Sequence, residues 1–233
     1  DTSTNTVIAT VPVGSFPSGV AITPDGSFAY VTNQVGNNVS VIDTSTNTVV
    51  TTVPVGIFPF GVAITPDGSF AYVTNQVGNN VSVIDTSINT VVTTVPMGSQ
   101  PVGVAITPDG SFAYVTNLSS NNVSVIDTST NTVVTTVPVG GGPAGVAITP
   151  DGSFDYVANA GSNNVSVIDT STNTVVATVP VGSQPVGVAI TPDGSFAYVT
   201  NQVGNNVSVI DTSTNTVVTT VPVGIFPFGV AIK

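Results

Sequence analysis

Apolar and polar residues alternate along the chain in short runs, and no stretch shows the period of an amphipathic helix. In one representative region, β-branched and aromatic residues dominate four runs, at residues 48–55, 61–65, 70–75 and 80–85. The segments between them are rich in Gly, Pro, Asn, Asp and Ser, which favour turns. Apolar side chains occur on both faces of these runs. The pattern therefore predicts four short antiparallel strands in a sheet that is covered on both sides.

This four-strand pattern repeats with a fixed period. The heptapeptide that begins at Asp1 returns every 42 residues with a single change, Ile88. The repeats are 1–42, 43–84, 85–126, 127–168 and 169–210, with a partial repeat at 211–233. A period of this length with four strands is typical of one blade of a β-propeller. We therefore predict one all-β propeller domain over residues 1–233, which is either a whole domain or an excerpt of a longer array.

Several repeated motifs match a known family. Tyr-Val-Thr-Asn begins at residues 30, 72, 114 and 198 and becomes Tyr-Val-Ala-Asn at 156, beside repeated Gly-Val-Ala-Ile-Thr-Pro-Asp-Gly and Val-Ser-Val-Ile-Asp segments. The chain resembles the YVTN family of β-propeller repeat proteins over its whole length. The resemblance implies that the run at 61–65 is the innermost strand A of a blade, followed by B, C and the rim strand D. Members of that family include cell-surface, surface-layer and periplasmic proteins.

Counting strands in this scheme leaves two without a blade. Five complete blades are expected at about 19–55, 61–97, 103–139, 145–181 and 187–223, and the left-over strands are Thr6 to Val13 and Gly229 to Ile232. The alternatives are a five-bladed ring with loose ends, an incomplete ring, or end strands that pair with another copy. Exposed strand edges favour pairing, so we expect self-association through the terminal strands.

The composition excludes several kinds of chemistry. Of 233 residues, 12 are acidic, all of them Asp, and the only basic residue is Lys233, so the net charge is -11. The chain has no Glu, Arg, His, Cys or Trp. It therefore lacks the base of Ser-His or Cys-His catalysis and the ligands of zinc, haem and iron-sulfur centres. Its charge would repel nucleic acid. No apolar run reaches the roughly 18 residues of a spanning helix, so we expect no membrane insertion.

Differences between the repeats cluster in the D-to-A and B-to-C loops, which should emerge on one side of an antiparallel blade. Loops on a rigid scaffold are the expected place for recognition. Asp155, which replaces an Ala found in the other repeats, is a further candidate. We expect its side chain to reach water, since an unpaired buried carboxylate is costly; the alternative is burial with a raised pKa. The candidate contacts for a protein or glycan partner are Phe16, Phe58, Phe60, Gln100, Gln184, Phe226, Phe228 and Asp155. The alternative for the Phe rings is that they cap gaps between blades.

Repeated Asp and Asn residues have a structural and a functional interpretation. One Asp set follows Pro in the A-to-B turns and another opens the C-to-D turns, where Asp caps its own backbone. Two acidic rings could attract Ca²⁺, although neither has a calcium-loop spacing, so we predict no cofactor. The Asn-x-Ser sequons are hairpin-turn residues or glycosylation acceptors in an exported chain. The acceptors would be Asn38, Asn80, Asn117, Asn122, Asn164 and Asn206.

Together these features favour a non-enzymatic module. We expect an extracellular or cell-surface propeller, of surface-layer, adhesin or filament-forming type, that presents one variable loop face. The alternative is a propeller that binds a glycan or small ligand in its central channel. The resemblance also implies relatives among lactonase-like and redox proteins, but the active sites of those proteins depend on His, Glu or Arg. Identical carboxylates in every repeat are not a differentiated acid and base pair, so we predict no enzymatic activity.

Overall fold

The computed structural model describes residues 1 and 3–232, which form five four-stranded antiparallel sheets. Each sheet uses four consecutive strands in chain order, and this confirms the predicted blades. Blades 1 and 2 consist of β1 Pro17–Ile22, β2 Phe28–Asn33, β3 Asn38–Asp43 and β4 Thr48–Pro54, and of β5 Pro59–Ile64, β6 Phe70–Asn75, β7 Asn80–Asp85 and β8 Thr90–Pro96. Blades 3 and 4 consist of β9 Pro101–Ile106, β10 Phe112–Asn117, β11 Asn122–Asp127 and β12 Thr132–Pro138, and of β13 Pro143–Ile148, β14 Phe154–Asn159, β15 Asn164–Asp169 and β16 Thr174–Pro180. Blade 5 consists of β17 Pro185–Ile190, β18 Phe196–Asn201, β19 Asn206–Asp211 and β20 Thr216–Pro222.

Each pair of neighbouring blades encloses an apolar layer. Between blades 1 and 2, Tyr30, Val41 and Val53 pack against Ala71 and Ile84, all of them buried. Equivalent residues fill the layers between the following blades. Strands carry apolar side chains on both faces because a blade has a neighbouring blade on each side, as the sequence pattern predicted. The core is thus a series of inter-blade layers.

Polar contacts hold the blades in register near the axis. The Thr74 hydroxyl accepts the Gly61 N–H at 2.8 Å and donates to the carbonyl oxygen of Val102 in the next blade at 2.7 Å. A Cβ at Gly61 would overlap that same carbonyl group, so only glycine allows the strands to approach this closely. Farther out, the Tyr72 hydroxyl donates to Asn131 Oδ1 of blade 3 at 2.7 Å.

The two segments predicted as left-over strands differ from that prediction. Residues 6–13 and 229–232 form no strand, because the hairpin that would pair with each of them is not in this sequence. The C-terminal segment nevertheless lies where the strand A of a next blade would lie. The Thr200 hydroxyl donates to the Phe228 carbonyl oxygen at 2.8 Å, as the Thr32 hydroxyl does to that of Phe60.

The outer faces of the first and last blades are partly uncovered. Strands A contact one another in the order β1, β5, β9, β13 and β17, and β17 makes no comparable contact with β1. Val20 of blade 1 is 64% exposed, and Val221 of blade 5 is 44% exposed although its counterpart Val53 is buried. The described blades therefore form an arc with two open ends.

Candidate functional site

The loops of each blade emerge on two opposite sides. On one side the D-to-A loop contacts the B-to-C loop, because the Gln76 N–H donates to the Phe58 carbonyl oxygen at 2.9 Å. On the other side the C-to-D turn contacts the A-to-B turn, because the Thr86 hydroxyl donates to the Gly68 carbonyl oxygen at 2.6 Å. The predicted grouping of the variable loops is confirmed. We call these sides the loop face (residues 14–18, 34–37 and their equivalents) and the turn face.

The backbone of the D-to-A loop is held from two blades. Besides accepting a bond from its own blade through its carbonyl group, Phe58 donates its N–H to Asn37 Oδ1 of the preceding blade at 2.9 Å. The same bond is made by Gln100 to Asn79, by Gly142 to Asn121, by Gln184 to Asn163 and by Phe226 to Asn205. The backbone at this loop position is therefore fixed in the same way in these five loops, whereas its side chain varies; Phe16, in the first blade, is held among the described residues only by the bond that its carbonyl oxygen accepts from the Gln34 N–H at 3.0 Å.

That loop position has a left-handed backbone, which disfavours every residue type with a large side chain. In repeat 4 it is Gly142, with φ at 64°. In the other repeats a bulky residue adopts the same conformation. The φ angles are 55° for Phe16, 59° for Phe58, 57° for Gln100, 52° for Gln184 and 53° for Phe226. Strain of this kind is characteristic of functional sites, where a side chain is needed at a particular place.

The sequence interpretation missed this strain, although one signal was available. Five repeats place Phe or Gln at the position, and repeat 4 places Gly142 there. A glycine at one of several equivalent positions indicates a positive φ at all of them, because only glycine adopts it without cost. Comparison of the repeats would therefore have identified these five residues as strained.

The apolar side chains of the loop face are concentrated on blades 1 and 2 and on the C-terminal segment, and blade 5 adds Val203. Phe16 is 70% exposed and Phe226 is 65% exposed, whereas Phe58 is half-buried. The rings of Phe60 and Phe228 approach each other with centroids 6.4 Å apart and so bring the two groups together. We call this set the apolar crescent: Phe16, Val35, Ile57, Phe58, Phe60, Val77, Val203, Ile225, Phe226 and Phe228.

The loops of blades 3 and 4 carry no Phe and present mostly polar or small groups; Leu118, in the B-to-C loop of blade 3, is apolar and half-buried. Gln100 is half-buried, and its Oε1 accepts a bond from the Ser119 hydroxyl at 2.8 Å. Gln184 is exposed on blade 5. The predicted contact residues therefore fall into an apolar group and a polar group on the same face.

The charged side chains lie away from the loop face. None of the loop-face segments contains a charged residue. The Asp side chains of the turn face cap their own turns, as expected: Asp25 accepts bonds from the Thr23 hydroxyl at 2.6 Å and from the Ser27 N–H at 3.0 Å. These bonds lower the pKa of Asp25 to about 2. The two sets are Asp25, Asp67, Asp109, Asp151 and Asp193, and Asp43, Asp85, Asp127, Asp169 and Asp211.

The structure does not bring the acidic residues together as a metal site. Among residues 1 and 3–232, no group of three or more Asp side chains converges on a point that could hold a metal ion. The described residues also include no helix that is long and apolar enough to cross a membrane.

Asp155 does not lie on a surface, and the prediction that its side chain reaches water is wrong. It is fully buried between blades 3 and 4, and neither carboxyl oxygen has a hydrogen-bond partner among the described residues. Burial raises the pKa of Asp155 well above its usual value. The equivalent Ala71 and Ala113 lie in the layer facing the preceding blade, where a side chain cannot reach solvent. Asp155 therefore cannot contact a partner in the folded chain.

One predicted glycosylation acceptor is also wrong. Asn117 is buried, and its Nδ2 donates to Asn122 Oδ1 at 2.8 Å and to Ser124 Oγ at 2.9 Å, so it is inaccessible to modification. The acceptors Asn38, Asn80, Asn122, Asn164 and Asn206 are half-buried at the start of strand C, and their modification stays a prediction.

The central channel is apolar. It opens on the loop face as a cavity of about 450 Å³, lined by residues of every strand A, including Val62, Val104 and Val146, with Phe60 and Phe228. Among the described residues of its lining there is no titratable side chain, and the polar side chains are those of Ser18 and Gln76. The channel can therefore accept an apolar group, and its lining holds no acid or base beside the Ser18 hydroxyl.

Comparison with known proteins supports this architecture. The family model described as "Lactonase, 7-bladed beta-propeller" matches residues 2–91, 61–137 and 92–221. The chain belongs to this family. Its described residues form five blades of the propeller, and the finer resemblance to YVTN surface-layer repeats stays a prediction.

Solved structures show the same fold in distant proteins. Hydrazine synthase from Kuenenia stuttgartiensis is 23% identical to the propeller, with a TM-score of 0.70, over 97% of this chain and 92% of that chain. A functionally unknown protein from Desulfotomaculum acetoxidans DSM 771 is 22% identical, with a TM-score of 0.78, over 92% of this chain and 74% of that chain. No curated protein matches the chain. At these identities the likeness concerns the fold alone.

Proposed function

We propose that this propeller is a non-enzymatic interaction module of the cell surface, which presents its loop face to a partner. The observation that carries the proposal is the left-handed backbone beneath Phe16, Gln100, Gln184 and Phe226. Each of these residues costs about 1–2 kcal/mol relative to glycine at the same φ. Gly142 demonstrates that glycine fits the loop. The bulky side chains are therefore retained for what they contact.

Glycine substitutions test this interpretation against the alternative that the rings cap gaps between blades. We expect Phe16→Gly and Gln184→Gly to leave the melting temperature unchanged or to raise it, because they relieve strain and uncover no core residue. Phe16→Ala is the matched control, since it removes the ring and keeps the strain. A drop in stability of more than about 1 kcal/mol for the glycine variants would assign the side chains to the fold.

The proposed absence of catalysis rests on where the carboxyl groups lie. Those of the turn face cap their own turns, Asp155 is buried in an apolar layer, and no carboxyl group is among the described residues that line the channel. Lactone hydrolysis needs a group that activates water, and the channel supplies none. A pH-stat assay with a panel of aliphatic and aromatic lactones should give the uncatalysed rate. Turnover that saturates with substrate and scales with protein concentration would contradict the proposal.

The proposed location rests on composition. A chain rich in Thr, Val, Asn and Asp, with a single Lys and no Arg, is typical of exported proteins. Antibodies raised against the purified propeller should label intact host cells. Labelling that appears only after the cells are permeabilised would place the protein inside them.

A second candidate function is suggested by the channel. Its volume of about 450 Å³ falls in the range of small-molecule sites, and its lining is apolar. This favours an apolar ligand over a glycan, which needs polar partners as well as aromatic platforms. Titration with the uncharged apolar dye Nile red should then give saturable fluorescence that Val104→Asp abolishes. Equal fluorescence from that variant would exclude the channel as the site.

A further inference from the structure

The apolar crescent has the size and chemistry of a protein interface. The exposed parts of Phe16, Phe226 and Phe228 together amount to about 400 Å². This already equals the largest apolar patch of a typical monomer, about 300–600 Å², before the crescent's aliphatic side chains are added. Ile225 is 79% exposed and Ile57 is 57% exposed. Aromatic anchors of this kind form the centre of interfaces that cover about 800 Å² on each partner.

The charge distribution restricts the partner. Because the turn face carries the Asp rings and the loop face carries no charge, the crescent has nothing to attract a basic or an acidic partner. Its complement is another uncharged apolar surface. A second copy of the propeller supplies one.

Face-to-face contact between two copies also keeps their acidic rings apart. Each blade is one strand high, and six residues of strand span about 20 Å, so the two turn faces would lie about 40 Å apart. That distance is several times the Debye length of about 8 Å at physiological ionic strength. Repulsion between the carboxylates therefore does not oppose this arrangement, whereas it opposes any contact between turn faces.

The ends of the arc offer a second route, the one expected from the sequence, but it requires rearrangement. The strand A position beside blade 5 is already occupied by the C-terminal segment, since Thr200 donates to the Phe228 carbonyl oxygen and Asn205 Oδ1 accepts the Phe226 N–H at 3.0 Å. A second copy could add its first blade there only after displacing this segment. The loop face needs no such displacement.

We infer that two copies of this propeller associate face to face through the apolar crescent. The inference rests on the proposed function, because it names the partner of the loop face. It predicts a two-fold symmetric dimer in which the same side chains are buried on both copies. The Phe16 and Phe226 rings are the anchors, and the polar loops of blades 3 and 4 lie at the rim.

Sedimentation velocity of the full chain over a concentration series tests the dimer. We expect a monomer–dimer equilibrium in about the micromolar range for the wild type, little affected by salt. The double variant Phe16→Gly/Phe226→Gly should weaken it by about tenfold or more. Asn47→Gly is the matched control, since it makes the same change to glycine at an exposed left-handed position of the turn face, with φ at 54°, and it should dimerise like the wild type.

Three results would overturn the dimer. The first is a wild type that stays monomeric at all concentrations. The second is association that survives the double Phe variant but is lost in Val20→Asp/Ile22→Asp, which would place the contact at the end of the arc. The third is a monomer that co-sediments with phosphatidylcholine vesicles, which would make lipid the partner. If the wild type is monomeric but the glycine variants keep their stability, only the dimer is refuted. Lactone turnover would refute only the proposed function.

Discussion

Replacing Asp155 by alanine should stabilise the propeller. The equivalent residues in blades 2, 3 and 5 are Ala71, Ala113 and Ala197, each buried in the same kind of apolar layer. Asp155 places a carboxyl group there, and neither of its oxygens is hydrogen-bonded to a described residue. The substitution Asp155→Ala therefore restores the packing of the other interfaces and removes a desolvated polar group.

The size of the effect follows from two contributions. A neutral carboxyl group that is buried without partners costs about 1–3 kcal/mol. At neutral pH a further 1.4 kcal/mol, roughly, is lost for each unit by which the folded-state pKa exceeds the unfolded one. We therefore expect Asp155→Ala to raise the stability by at least about 2 kcal/mol at pH 7. For a chain of this length the melting temperature should rise by roughly 4–8 °C.

The gain should depend on pH in a direction that only burial explains. Because the folded-state pKa of Asp155 is raised above the ordinary 3.8, the wild type is most stable, relative to the variant, below pH 3.8. As the pH rises from there toward the folded-state pKa, this stability is lost. The difference between Asp155→Ala and wild type should therefore be smallest near pH 3.5 and largest near neutrality.

Differential scanning calorimetry across this pH range measures both quantities. Asp155→Asn is the matched control, which keeps a buried polar group but does not titrate, so its stability relative to the alanine variant should not change with pH. Ala71→Asp is the reciprocal change and should destabilise blade 2 with the pH dependence of the wild-type Asp155. An alanine variant that melts at or below the wild-type temperature at pH 7 would refute the assignment of a buried, unpartnered carboxylate.

Three other predictions use the repeats as internal controls. Ala158→Thr should supply the hydroxyl that blade 4 lacks, and this hydroxyl can donate to the Val186 carbonyl oxygen. The stability measured by chemical denaturation should rise by about 1 kcal/mol. No gain would show that the contact between blades 4 and 5 differs from the others. Tyr72→Phe removes a hydrogen bond of 2.7 Å and should lower the stability by about 1 kcal/mol. The Tyr198 hydroxyl makes no such bond in the described structure, so Tyr198→Phe should lower the stability less. Equal losses would contradict this prediction. Since the pKa of Asp25 is lowered to about 2, its contribution to the folding stability is present above pH 3.8 and is lost as the pH falls toward 2. Acid unfolding monitored by circular dichroism should therefore begin below pH 3.8. The pH of unfolding should shift upward in Asp25→Asn only if the turn has no other support.

The sequence predicted the blades closely because turn residues delimit each run. Strands β6 and β7 span the predicted 70–75 and 80–85, and β5 begins at Pro59, ahead of the predicted start. The burial of Asp155 was missed because a polar residue suggests solvent, although alternation along the strand places it in an inter-blade layer. The strain at Phe16 and its equivalents was missed because backbone conformation is not visible in a single repeat.

The separation of carboxylates from apolar loops gives the propeller a permanent electric dipole along its axis. On any positively charged support, whether an aminated chip or a basic layer of the cell envelope, the turn face is attracted first and the molecule adsorbs in one orientation. Its aromatic side chains then point outward, away from the support. A layer of molecules adsorbed in this way would therefore present to the solution the surface on which a second copy can dock.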